Sequence, residues 1–198
     1  SGGILARPET LSISRAVICG IAVAAIYCWK HKASLGLALD LVALPVILGL
    51  AIARLGCFAA GCCYGKPTNS WLGVYLPDIN GMWAVRYPTQ LMSVAANLLI
   101  FFTLVAIERH GTRRPARVAL LDSRPEGEDK SWPFDGFLAL LGIALYSLKR
   151  FTIAFLREGG AIPIVGPLSL MHLEALAGLI VATALILLNL YRMNMEAI

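Results

Sequence analysis

The sequence predicts an all-α fold, a polytopic helical membrane protein with about five transmembrane helices. Three observations carry that prediction. Of 198 residues, 58% are apolar and 15% charged, and the mean hydropathy is +0.73; a soluble domain has about 45–50% apolar and about 25% charged residues. Five stretches are apolar over roughly the 20 residues that a helix needs to cross a bilayer. Lys and Arg gather on alternate connections between those stretches, as they do on the cytoplasmic side of membrane proteins. That asymmetry accounts for the net charge of +5 without nucleic acid as a partner. A disordered chain and a fibre are excluded by the same numbers.

The spans follow in order, within a single membrane domain over 1–198. The first is expected at 13–29, where only Ser14 and Arg15 interrupt the apolar run. The second, at 35–53, carries Asp40 and Pro45. The third is placed at 91–107. The fourth, at 137–156, carries Lys149 and Arg150. The fifth runs over 168–190. Nine cations (Lys30, Lys32, Arg109, Arg113, Arg114, Arg117, Arg124, Lys130 and Arg192) fall on one side, against six (Arg7, Arg15, Arg54, Lys66, Arg86 and Arg157) on the other. The nine mark the cytoplasm, so 56–90 is an external loop and 108–135 a cytoplasmic one. The latter, rich in Arg, Pro and Glu, reads as solvated and mobile. The chain opens Ser1-Gly2-Gly3 with no Met and no signal-peptide pattern, so further sequence is expected upstream.

Ionisable residues inside or at the ends of spans are costly and often functional. Arg54 ends the second span and is followed by Gly56, Gly61 and Gly65. Glycines there let the backbone turn tightly or approach a ligand. Guanidinium makes bidentate bonds to phosphate oxygens, or it snorkels to lipid headgroups; both readings fit Arg54. Arg150 lies well inside the fourth span, with Tyr146 one turn earlier on the same helix face, so the two can grip one anionic group. The competing reading pairs Arg150 with a carboxylate of another helix. Lys149 points about 100° away and either snorkels or pairs with Asp40. Cys57, Cys62 and Cys63 can hold a metal, form a disulfide or pack as thiols beside a tight turn. The spacing lacks a Cys-x2-Cys pair or a nearby His-x3-His, which favours packed thiols. Gln90, in Tyr87-Pro88-Thr89-Gln90-Leu91 at the start of the third span, can bond a polar ligand. His172, beside Glu174, is the side chain best suited to take a proton near neutral pH. Arg54, Tyr146, Arg150 and the glycine turn together can hold a lipid phosphate and stabilise it as a leaving group.

These motifs resemble those of the prolipoprotein diacylglyceryl transferase family. Ala53-Arg54-Leu55-Gly56-Cys57-Phe58-Ala59-Ala60-Gly61-Cys62-Cys63-Tyr64-Gly65 is similar to the family's Gly-Arg-x-Gly-Asn-Phe signature and its Gly-rich end. Tyr87-Pro88-Thr89-Gln90-Leu91 is similar to its His-Pro-[Ser/Thr]-Gln-Leu element. Tyr146-Ser147-Leu148-Lys149-Arg150-Phe151 with Phe155-Leu156-Arg157 is similar to its Tyr-x-x-x-Arg-Phe helix and the Phe-Phe-Arg that follows, and Leu168-Ser169-Leu170-Met171-His172 to the start of its last span. The resemblance implies transfer of the diacylglyceryl group of phosphatidylglycerol to the lipobox cysteine of a prolipoprotein signal peptide. The setting would be the bacterial plasma (inner) membrane, crossed many times. Catalysis would fall to Arg54, Tyr146, Arg150 and His172, and substrate binding to Gly56, Cys57, Gly61, Gly65, Gln90 and Arg157. No metal or organic cofactor is implied, and the partners are the two substrates and the lipid bilayer. The family has seven spans, so two are expected to be missing from this chain.

The departures sit at polar positions. Ser14 stands where the family carries a His thought to act in catalysis. Cys57 replaces the signature Asn, Cys62 the signature Glu, Tyr87 the His before Pro, and His172 a residue usually Gln. The general base is therefore open, with His172 one candidate and the missing spans another. A relative that binds anionic lipid or lipoprotein without transfer is the alternative, and a thiol-redox membrane protein using Cys57, Cys62 and Cys63 a third reading.

Overall fold

Pro45 does not stop the second apolar stretch, which forms helix α1, Leu35–Ala59. Ser34 caps its start, its Oγ accepting from the Leu37 amide at 3.4 Å. Helix α2 spans Thr89–His110, α3 Phe137–Leu156 and α4 Leu170–Glu196. All four are long and apolar enough to cross a membrane. This computed structural model describes residues 20, 22–23, 25–30, 34–77, 81–110, 133–158, 163–165 and 168–196. Residues 25–30 are helical. Residues 13–19, 21 and 24 of the expected first span, including Ser14 and Arg15, and residues 111–132 of the expected cytoplasmic loop lie outside the described residues.

Two short hairpins interrupt the helical pattern. Strand β1, Val74–Pro77, pairs antiparallel with β2, Trp83–Arg86, with Tyr75 opposite Val85. Strand β3, Pro163–Val165, pairs antiparallel with β4, Leu168–Ser169, immediately before α4. The first hairpin lies inside what the sequence suggests is a plain loop.

Helices α1, α2 and α3 meet around Leu44, Ile47, Ile100, Leu104 and Leu138, and α4 packs on α3. The outward faces are apolar as well, with Leu99 70% and Leu187 66% exposed. Asn97, Thr89, Gln90, Ser93, Ser147 and His172 are buried instead. An apolar outside around a partly polar inside suits a hydrocarbon solvent, where polar side chains face the bundle interior.

Asp40 fixes how α1 meets α3. The N-cap of α3 is Gly136, which has no side chain to satisfy the first amides. Asp40 of α1 does so across the interface, accepting from the Gly136 and Ala139 amides at 2.8 Å each. Of the two alternatives for Lys149, this rules out its pairing with Asp40. The carboxylate sits at the start of α3, and Lys149 lies 12 residues further on, about 18 Å along the axis. Its charge instead complements the positive end of the helix dipole.

Candidate functional site

The end of α1 builds the first part of the site. Gly61, with φ of +63°, occupies the left-handed position that closes a helix. Its amide bonds the Phe58 carbonyl at 3.1 Å, and the Cys62 amide bonds the Cys57 carbonyl at 3.1 Å. This pair of bonds is a Schellman motif, which brings the side chains at its two ends, here Cys57 and Cys62, into contact. Gly56 does not turn the chain as expected; it is helical, because α1 runs on to Ala59, and a Cβ there would meet open space.

Cys63 follows with φ of +62°, a conformation that costs a non-glycine residue about 1–3 kcal/mol. Helix α2 pins this turn. The Gln90 amide donates to the Cys62 carbonyl and the Thr89 hydroxyl to the Cys63 carbonyl, each at 2.8 Å. Both side chains are buried. The sulfurs of Cys57, Cys62 and Cys63 all lie within 4.8 Å of one another and are half-buried. Arg157, just past α3, places Nη2 2.9 Å from Cys63 Sγ and Nη1 4.0 Å from Met171 Sδ. Burial, and then the neighbouring thiols, push the Cys62 thiol up to about 11.

Beyond the turn, residues 64–68 run as an extended strap between two partners. On one side the Lys66 amide bonds the Leu156 carbonyl at 2.8 Å and the Glu158 amide bonds the Tyr64 carbonyl at 3.1 Å. On the other, the Gly65 amide bonds the Tyr87 carbonyl at 3.1 Å and the Thr68 amide bonds the Val85 carbonyl at 2.9 Å. Gly65 is glycine because a Cβ would strike the Tyr87 backbone. Arg86 of β2 pairs with Glu158 and lies 4.8 Å from the Tyr64 ring centre.

The second part of the site is a group of cations from two helices. Lys149 Nζ donates to Asn97 Oδ1 at 3.0 Å and lies 4.0 Å from the Tyr146 ring centre. Arg54 and Arg150 are both near enough to repel it. Arg150 Nη2 is 3.0 Å from Glu174 Oε2 of α4, the carboxylate pairing that competed with a shared grip by Tyr146 and Arg150. Tyr146 packs on the core beneath Lys149. Three cations and one carboxylate leave an excess of positive charge around Lys149, which attracts an anion.

His172 is buried against Phe155, ring centres 4.2 Å apart. Its Nδ1 accepts from the Ser169 amide at 3.2 Å, with Ser169 Oγ 2.8 Å away. A neutral ring accepting at Nδ1 carries its proton on Nε2, a buried atom with no partner among the described residues. The structure thus groups Cys57, Gly61, Gly65, Gln90 and Arg157 around the turn, and Arg54, Tyr146 and Arg150 around Lys149. Sequence reasoning missed Asn97 and Thr89; Asn97, a polar residue midway along an apolar run, was the available signal.

The comparisons agree on one family. The family described as prolipoprotein diacylglyceryl transferase matches residues 9–191. The phosphatidylglycerol–prolipoprotein diacylglyceryl transferase of Clostridium tetani is 30% identical over 75% of this chain and 70% of its own length. The enzyme of the same name from Gloeobacter violaceus is 31% identical over 86% of this chain and 57% of its own length. That of Campylobacter jejuni is 28% identical over 75% and 45%. The match therefore spans about half to two-thirds of these relatives' lengths. With residues 9–191 matched and these relatives agreeing, this chain belongs to the prolipoprotein diacylglyceryl transferase family.

Proposed function

We propose that the protein transfers the diacylglyceryl group of phosphatidylglycerol to the cysteine thiol of a prolipoprotein lipobox, in the bacterial plasma membrane. The observation that carries this reading is the pair Lys149 and Arg150 on α3 with Arg54 of α1 near enough to repel Lys149. In the reaction the acceptor thiol loses its proton, since the thiolate is the nucleophile. A sulfur–carbon bond forms at the glyceryl carbon, the carbon–oxygen bond to phosphate breaks, and glycerol phosphate leaves with the bonding pair. Arg54 and Arg150 neutralise that leaving phosphate, and Tyr146 sets the position of Lys149 beside it. Gly56, Cys57, Gly61, Gly65, Gln90 and Arg157 line the approach of the substrates.

The test is transfer of labelled phosphatidylglycerol to a peptide with one lipobox cysteine. Label is expected on the peptide and absent when its cysteine becomes serine. Arg54→Ala and Arg150→Ala are each expected to lower the rate about 10²–10³-fold, the loss typical of one preorganised donor to a developing anion. Unchanged transfer in both variants would refute the assignment.

A second reading is a relative that binds the lipid or the lipoprotein without transfer. The Nδ1 lone pair of His172 is engaged by the Ser169 amide, so the histidine offers a proton donor at Nε2 and no free base. Retained lipid binding with no label on the peptide, beside an active control enzyme, would favour this reading.

A further inference from the structure

The three thiols at the end of α1 form a cluster that displacement at the glyceryl carbon does not require. Two of them are explained by the local fold, because the Schellman motif presses Cys57 against Cys62. Cys63 is not. It holds a left-handed backbone that glycine would adopt without cost, and in that conformation its sulfur joins the other two within 4.8 Å. Strain of this kind persists where the surrounding structure enforces it and the site uses it. Thr89 and Gln90 supply the enforcement, each holding a carbonyl of the turn from a buried position.

We propose that Cys57, Cys62 and Cys63 form a three-thiolate site for a soft d10 cation, zinc(II) or copper(I). Zinc lies about 2.3 Å from each thiolate, which separates tetrahedral sulfurs by about 3.8 Å. The observed sulfurs are at most 4.8 Å apart, no more than about 1 Å beyond that spacing. Thiolate ligands select zinc and copper(I) over harder cations. No imidazole or carboxylate joins the group among the described residues. On binding, each sulfur releases its proton to solvent and forms one sulfur–metal bond, with no change of oxidation state. Three thiolates around zinc leave one net negative charge, and the Arg157 guanidinium at Cys63 Sγ compensates it. Outer groups that orient and neutralise ligands in this way are worth about 10–100-fold in affinity. The spacing in the sequence argues against a metal; the left-handed turn at Cys63 supplies the third sulfur that spacing does not show. The site shares Cys57 and Arg157 with the proposed substrate approach, but its test reads metal binding and needs no transfer.

The experiment uses the full chain in detergent, reduced without oxygen, with Cys19→Ser and Cys28→Ser removing the two other thiols. Cadmium, a spectroscopic stand-in for zinc, is expected to produce its ultraviolet sulfur-to-metal band and to saturate at one ion per chain. Zinc bound in place of cadmium should protect all three thiols from alkylation, counted by mass. Arg157→Ala is expected to weaken binding about 10–100-fold. Cys63→Gly keeps the turn, since glycine suits that backbone, and should abolish tight binding in a chain that remains folded. A band unchanged in Cys63→Gly would overturn the proposal. So would absence of the band, or a Cys57–Cys62 disulfide that forms in the presence of excess zinc.

Discussion

At the scale of single residues, Asp40 and Cys62 give the sharpest expectations. Asp40 supplies the cap that Gly136 lacks, through two amides of α3. Replacing a capping side chain costs about 0.5–2 kcal/mol. Asp40→Ala should therefore lower the midpoint of thermal unfolding in detergent, with Asp40→Asn intermediate because it keeps one acceptor. Cys62 is expected to alkylate slowly in the reduced, metal-free chain. Its thiol is pushed up to about 11, against an ordinary cysteine near 8.5. A raised value leaves the unreactive neutral thiol in place at pH 8, so its alkylation rate should keep climbing between pH 9 and 11. A plateau below pH 9, followed by mass spectrometry of the labelled peptide, would contradict this. Residue identities showed which side chains are costly in a membrane, and Arg54 and Arg150 were legible for that reason. Their partners were not. A helical wheel gives the face of Lys149 but not its depth against other helices, so Asn97 was missed and Asp40 stood as one of two alternatives for Lys149 although it lies at the other end of α3.

At the scale of elements, the apolar runs gave the helices their places, and the ends were less legible. The glycine pattern after Arg54 suggested a turn beginning at Gly56. Helix α1 instead continues to Ala59, and Gly61 terminates it. A lone glycine in an apolar run does not reveal whether it ends a helix, since the deciding bonds come from residues after it. The β1–β2 hairpin was also hidden, because Val74–Pro77 and Trp83–Arg86 are too short to stand out from a loop. Its strap carries a clear prediction. Gly65→Ala should destabilise the protein by about 1–3 kcal/mol, the usual cost of forcing a methyl into a packed site. It should also raise the alkylation rate of Cys63, because a strap forced off Tyr87 disturbs its pairing with 156–158 and so displaces Arg157 from the sulfur. A lower melting temperature with Cys63 reactivity unchanged would show that strap and turn are uncoupled.

At the scale of the whole molecule, the distribution of polarity was legible from composition alone, and the bundle arranges it accordingly. Apolar side chains such as Leu99 and Phe102 cover the outside, while Asn97 and Gln90 lie within. The nine-to-six excess of Lys and Arg predicts that 56–90 faces outside the cell. Trp71, 90% exposed beside the first hairpin, provides the test. In intact cells, with Cys57, Cys62 and Cys63 replaced by serine and Cys19 and Cys28 by alanine, Trp71→Cys should react with a membrane-impermeant maleimide. Arg109→Cys in the same background should react only after permeabilisation. The reverse pattern would invert the topology.

The strap also sets an order of events during synthesis. Cys63 and its guanidinium partner Arg157 are 94 residues apart, and Tyr64 and Lys66 wait for backbone partners just as distant. At about 5–20 residues per second, roughly 5–20 s of elongation separate the turn from its clasp. During that interval α2 can hold the turn through Thr89 and Gln90, but nothing yet closes the far side. A ribosome stalled before the end of α3 would thus leave an inserted yet unfinished centre, its thiols open to passing oxidants. Completion of the site coincides with arrival of the third long helix.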